Sequence, residues 1–199
     1  MSPRGVAIPD LREHLFQATE RVLARDGPTG LTSRAVTREA GVAKGVLHNH
    51  FTELDGFLAE FVKDRLRLVA AEAAKLPAQA GQGTVLGNLT AAAVSVLGDH
   101  AAAMISLARA RPELMLRLQH SEAAVSPSLQ EVEGAFAAYL EAEKELGRIS
   151  PDADSKTVAL ALVGTVHHLV MTQRADAPDL PGRVQRVVET LVAGHAPVV

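Results

Sequence analysis

The chain has 199 residues, with 20 Lys and Arg against 23 Asp and Glu, 8 His and no Cys. The lack of cysteine excludes disulfides, thiolate metal centres and cysteine nucleophiles, and no apolar run reaches the roughly 18 residues of a membrane-spanning helix. Apolar residues make up 47% but aromatics only 3%; the Ala-, Leu- and Val-rich remainder favours packed helices, in one large domain or two small ones.

The opening MSPRGVAIPD lacks the apolar segment of a signal peptide, so the expectation is a cytoplasmic protein with no membrane partner. Charge is divided unevenly. Residues 1–50 hold 7 Lys/Arg and 5 Asp/Glu, net +2, while residues 51–199 hold 13 and 18, net −5. A basic head on an acidic body suits contact with a polyanion at one end.

In chain order, Asp10 and Glu13 have capping-box spacing, and Leu11, Leu15, Ala18, Val22 and Leu23 follow as one helical stripe. Asp26-Gly27-Pro28 ends that helix. Thr32 or Ser33 caps a short second helix reaching about Ala40, Gly41 breaks it, and a third runs from Lys44 to Phe51. Thr52 with Asp55 is expected to cap a long fourth helix through about Lys75. PAQAGQG (77–83) reads as a small-residue loop; no strand precedes its Gly-x-Gly, so it is not a phosphate loop. Helices resume from Thr84, with breaks near Gly98-Asp99 and Pro112. Ser126-Pro127 opens another to about Leu146. Pro151, with Asp152 or Asp154 as cap, opens one to about Gln173, and a last helix spans about Pro181 to Val192. The chain reads as all-α, nine or ten helices without a repeat.

The first 51 residues carry the sharpest signal. Three helices, the last two joined by a glycine turn, have helix-turn-helix proportions. Val36, Ala40, Val42, Leu47 and Phe51 are spaced to meet Leu15, Val22 and Leu31 in one small core. Lys44, Gly45, His48 and Asn49 would then face outward. A glycine inside a helix costs roughly 1 kcal/mol relative to alanine, Ala43 stands where a capping hydroxyl would add roughly 1 kcal/mol, and Lys44 opposes the helix dipole. Helix stability does not explain these choices, whereas close approach of a nucleic acid does.

The stretch GLTSRAVTREAGVAKGVLHNHFTELDGFLAEFV resembles the DNA-binding head of TetR-family (tetracycline-repressor-like) transcriptional regulators. The likeness covers about residues 10–62 without gaps. It implies an N-terminal helix-turn-helix DNA-binding domain over 1–51 and a helical effector-binding and dimerisation domain over 52–199. It further implies that Thr32 and Ser33 bond phosphates, that Arg34 approaches a phosphate or base edge, and that Lys44 reaches a guanine or phosphate while Gly45 permits close approach. His48 and Asn49 would read sequence and His50 would hold a phosphate. Thr37, where the family places a small alanine, would pack and add a phosphate contact. Three positions depart from the family pattern: Ala43 for the usual cap, His48 for tyrosine and Leu54 for a phosphate-binding lysine. These imply weaker non-specific binding, with affinity rising as pH falls through the histidine range.

For the body, the resemblance implies a ligand-responsive regulator, a repressor released from a near-palindromic double-stranded operator by a small apolar or weakly polar effector. No cofactor is implied. His100, Met104, Leu107, Leu114, Met115, Leu118, Phe136 and His167 are candidate effector contacts. The homodimer is expected to join through the helices of 126–146 and 155–171, with Leu129, Val132, Tyr139, Ala161, Gly164 and His168 at the interface. Adjacent histidines point about 100° apart on a helix, so His167-His168 does not read as a metal site. No nucleophile motif points to an enzyme. The competing reading is a helical ligand-binding or protein-interaction module whose degenerate head does not bind DNA.

Overall fold

In a computed structural model of the chain, residues 9–51, 53–96, 104, 107, 110–120, 126–172 and 179–194 are described, and they contain helices and turns without a strand. We label the helices α1 (Leu11–Asp26), α2 (Ser33–Glu39), α3 (Gly45–His50), α4 (Leu54–Ala73), α5 (Val85–Val96), α6 (Pro112–His120), α7 (Ser126–Glu145), α8 (Ser155–Thr172) and α9 (Leu180–Ala193).

Local chemistry sets most helix ends. The Asp10 carboxylate accepts the Glu13 amide at 3.1 Å to open α1, and Gly27 closes it at φ 68, its own amide donating to the Leu23 carbonyl. Thr32 caps α2 by accepting the Ala35 amide at 3.1 Å. Asp154 caps α8 through the Thr157 amide, and Asp179 caps α9 through Gly182. The expected Thr52 cap of α4 lies outside the described residues. The helix begins at Leu54, with Glu53 at the cap position and no side-chain cap bond. Asp55 is engaged elsewhere, by Arg111.

The head's interior does not close on itself within the first 51 residues. Leu15, Phe16, Val22, Leu31, Val36 and Leu47 are buried together with Phe57, Leu58 and Phe61 from α4 and with Leu107, Leu114 and Leu118 from later in the chain. Phe16 packs between Phe57 and Phe61, centroids 5.5 and 5.6 Å away. A second interior gathers Ala70 and Ala73 of α4 with Leu89 of α5, Phe136 and Tyr139 of α7, Leu162 and Val166 of α8, and Val184 and Val188 of α9. Helix α4, 20 residues and so about 30 Å long, contributes one end to each interior.

The 77–83 loop is held by two charged side chains, Glu143 of α7 and Arg148 just beyond that helix. Glu143, fully buried, accepts the Gly81 amide at 3.2 Å, and Arg148 Nη2 donates to the Gly83 carbonyl at 2.7 Å. Asn88 Nδ2 donates to the Tyr139 hydroxyl at 3.0 Å and to the Gln82 carbonyl at 2.8 Å. Burial first, then Glu143, pushes the Tyr139 hydroxyl well above its usual range. A carboxylate at the Gly81 amide leaves no place for an anion, so the Gly-x-Gly is structural.

Helices α1 and α2 are tied by Glu39, which accepts from Arg21 Nε and Arg25 Nη1, each at 2.7 Å. Arg25, then Arg21, hold its carboxyl below the usual carboxylate range. A depressed carboxylate contributes stability that is present above its unfolded pKa and lost as pH falls through the folded one. The melting temperature of the chain is therefore expected to fall as pH drops below the ordinary glutamate range, and Glu39→Gln should flatten that slope. An undiminished acid slope in the variant would show that this pair contributes nothing measurable.

Candidate nucleic-acid interface

The surface formed by α2, the turn and α3 is built by two glycines with different reasons for being glycine. Gly41 sits at φ 66, the left-handed region that side chains resist. Its amide donates to the Arg38 carbonyl at 3.1 Å, and the Val42 amide to that of Thr37 at 3.0 Å, which closes α2 and redirects the chain. His14 Nε2, from α1, lies 2.8 Å from the carbonyl of Ala40, the residue that caps the end of α2. Gly45 has ordinary dihedrals, and a Cβ built there would meet nothing within 4 Å. Among the described residues, neither strain nor packing demands a glycine at 45.

Leu47 anchors α3, with no exposed surface. Val46 and Phe51 are half-buried against the same interior, and the Phe51 ring meets Phe57 edge-on at 5.0 Å. Fixing these three leaves Lys44, Gly45, His48 and Asn49 exposed. Lys44 and His48 are one turn apart, as are Gly45 and Asn49, so the four make one strip. The α3 backbone runs through His50, whose side chain lies outside the described residues.

On α2, Thr32 and Arg34 are exposed and Ser33 is half-exposed at the start of the helix. Thr37 packs as expected, but its hydroxyl is turned inward. It is buried, and its hydroxyl donates back to the Ser33 carbonyl at 2.9 Å, with Arg34's at 3.3 Å, so it packs and offers nothing to a phosphate. Arg38, not singled out from the sequence, is exposed one turn beyond Arg34; that i,i+4 spacing was the available signal. The electrostatics separate the two sides of the head. The α1 cations Arg12, Arg21 and Arg25 are each held by a carboxylate. Among the described residues no carboxylate is paired with Arg34 or Lys44. Leu54, where a lysine was missed, is half-buried against the head interior.

The expected effector contacts do not converge. Leu107, Leu114 and Leu118 are buried in the head interior, with Met104 half-buried against it, whereas Phe136 is buried in the second interior and His167 is exposed on α8. Helical spacing shows that a face is apolar but not which neighbour covers it. His100 and the Met115 side chain lie outside the described residues.

The expected dimer contacts divide as well. Val132 and Tyr139 are covered by their own chain, at 1% and 0% exposure, and Leu129 is half-buried. On α8, Leu160, Gly164 and His168 form an exposed stripe at four-residue intervals, with Ala161 half-exposed beside it, and a Cβ at Gly164 would meet nothing within 4 Å. An open groove between α8 and α9 is lined by Thr165, Leu169, Val187 and Leu191, with Arg183 and Arg186 at its rim.

The profile of "Bacterial regulatory proteins, tetR family" matches residues 15–61, which run from α1 into α4 and contain the whole exposed strip. The HTH-type transcriptional regulator BetI of Vibrio vulnificus is 35% identical over 80 residues, 38% of this chain and 40% of that protein. The chain thus spans about two-fifths of the length of the curated relatives it matches. Across nearly its full length it shares the fold of the fatty acid degradation regulator FadR from Bacillus halodurans, with TM-score 0.66 and 17% identity over 95% of this chain and 98% of that one. A TetR transcriptional regulator from Streptomyces coelicolor gives TM-score 0.63 and 20% identity over 94% and 99%.

Proposed function

We propose that the chain, whose residues 15–61 match the TetR family of bacterial regulatory proteins, is a ligand-responsive, dimeric DNA-binding repressor of that family. The observation that carries this reading is the exposed strip of Lys44, Gly45, His48 and Asn49, in which Lys44, like Arg34 on α2, has no carboxylate partner among the described residues. An unpaired cation on a rigid head is what a phosphate or a guanine edge recruits. A glycine that folding does not require leaves room for a backbone or base to come close. Thr32, Ser33 and Arg34 would position the α2 start on phosphates. Lys44, His48 and Asn49 would read bases, with His50 following on the phosphate side.

Two heads are needed for a near-palindromic operator, roughly 34 Å apart or somewhat more. We place the two-fold interface on α8 and α9 rather than on α7 and α8, because the inner contacts expected from α7 are used up within the chain. Leu160, Ala161, Gly164 and His168 would meet their copies in a four-helix arrangement. The body's interior is apolar, with Tyr139 and Glu143 already partnered and the buried Thr90 hydroxyl of α5 without a partner among the described residues. A small apolar or weakly polar effector suits such an interior better than a charged one. It would release the operator by binding more tightly to a head spacing that the operator cannot accept.

The test is selection of duplexes from random DNA by the purified full-length chain. A recovered near-palindrome is expected, and Lys44→Ala should weaken binding to it by about tenfold or more. Failure to enrich any sequence would instead support a head that has lost DNA binding.

A further inference from the structure

One side chain from the body holds both ends of the α2–turn–α3 unit. Arg111 precedes α6 and is half-buried. Its Nη2 donates to the Leu31 carbonyl at 2.9 Å and its Nη1 to Asp55 Oδ1 at 2.7 Å. Leu31 comes immediately before Thr32, the cap of α2, and Asp55 lies in the first turn of α4. Residues 31 and 55 therefore bracket the entire exposed strip. Arg111 is itself held in place: its amide donates to the Leu107 carbonyl at 3.0 Å and its carbonyl accepts from the Leu114 amide at 3.1 Å. Leu107, Leu114 and Leu118 are buried in the head interior on either side of it. A second link, Arg117 to Glu53 at 2.5 Å, is about half exposed on both sides and contributes little by comparison.

We infer that Arg111 is a positioning residue for DNA reading: its guanidinium fork fixes the separation and angle of the α2–turn–α3 unit on α4, so that α3 enters the groove in one orientation. The inference rests on the DNA-binding reading above, and Arg111 itself touches no DNA. The planar fork presents two parallel donor directions, which a lysine ammonium does not reproduce. Arg111→Lys therefore keeps the charge and can keep the Asp55 pair while releasing the Leu31 carbonyl.

Specific and non-specific binding respond differently to such a loss. Binding to random DNA depends on the charge facing the phosphates, whereas binding to a chosen sequence depends on base edges being met in register. The affinities of the full-length chain are measured by fluorescence anisotropy at one salt concentration, on the duplex recovered by selection and on a random duplex of equal length, with melting curves alongside. Arg111→Lys is expected to lower the selected-to-random affinity ratio by about tenfold, leaving random-duplex affinity within about twofold. Asp55→Asn, the second variant, should lower the ratio in the same way, and the double variant should be no worse than the more affected single one. An unchanged ratio in both variants overturns the inference. So does a parallel fall of both affinities that tracks the unfolded fraction, which would make Arg111 merely structural. If the wild-type chain enriches no sequence, the DNA-binding reading fails and takes this inference with it. If the wild type enriches one and the variants keep its ratio, this inference fails alone.

Discussion

Replacing Arg65 with alanine is expected to destabilise the chain by about 3–5 kcal/mol, read from the urea midpoint at unchanged slope. Arg65, on α4, is 1% exposed, and four contacts converge on its guanidinium. Glu13 of α1 takes it with both oxygens at 3.1 Å, Glu20 of α1 lies 2.9 Å from Nε, and Asp64 lies 2.8 Å from Nη1. Its flat group also stacks over Phe16 and Phe61, 5.5 and 5.4 Å from the ring centroids. Burial works against the charge, yet Glu13, Glu20 and Asp64 outweigh it and hold the arginine more firmly protonated than usual.

Alanine would leave three carboxylates facing one another around a hole, and mutual repulsion would add to the lost packing. Those carboxylates are a quarter to a third exposed, so water can reach them, which places the expected loss nearer 3 than 5 kcal/mol. Because α1 carries two of the three partners, the damage should centre on the α1–α4 junction. Arg65→Met would restore apolar volume and is expected to lose less. A loss below about 1 kcal/mol for Arg65→Ala would mean that the buried cation is no more than a surface pair.

The second large effect is expected at Leu47. Leu47→Ala should cost about 2–5 kcal/mol, and selected-duplex affinity should fall by more than the unfolded fraction accounts for. α3 has six residues, too few for a helix to persist on its own propensity, and it begins with a glycine and no side-chain cap. What holds it is tertiary contact, and among its described side chains Leu47 alone is fully buried. Removing that anchor frees the outward strip to move even in molecules whose interior remains folded. Amide exchange confined to residues 45–51 should accelerate. Normal exchange there, with operator affinity preserved, would show that the strip is positioned by something other than Leu47.

Much of the head was legible from residues alone. The Asp10 and Thr32 caps, the Gly27 stop and the Gly41 turn all depend on atoms within four or five residues of one another. The orientation of α3 followed from the same short-range logic, since Leu47 and its half-buried neighbours leave only one side free. Thr37 packs as its small size suggested, while its hydroxyl finds a carbonyl one turn back, a choice that residue type leaves open. The body was far less legible. Leu107, Leu114 and Leu118 carry an ordinary apolar stripe, yet they complete the head rather than an effector cavity. Val132 and Tyr139 looked suited to a partner subunit and are covered by the chain's own helices.

The helices, their caps and turns, and the outward side of α3 follow from residue order, because each is settled by bonds between near neighbours or by a helical period. Only the tertiary structure decided that α4 belongs to two interiors, that Arg65 is buried, and that Arg111 spans residues 31 and 55. An apolar stripe or a charged side chain states what it needs, burial or an opposite charge, without naming its partner. That partner is chosen by the packing of segments 50 to 80 residues away.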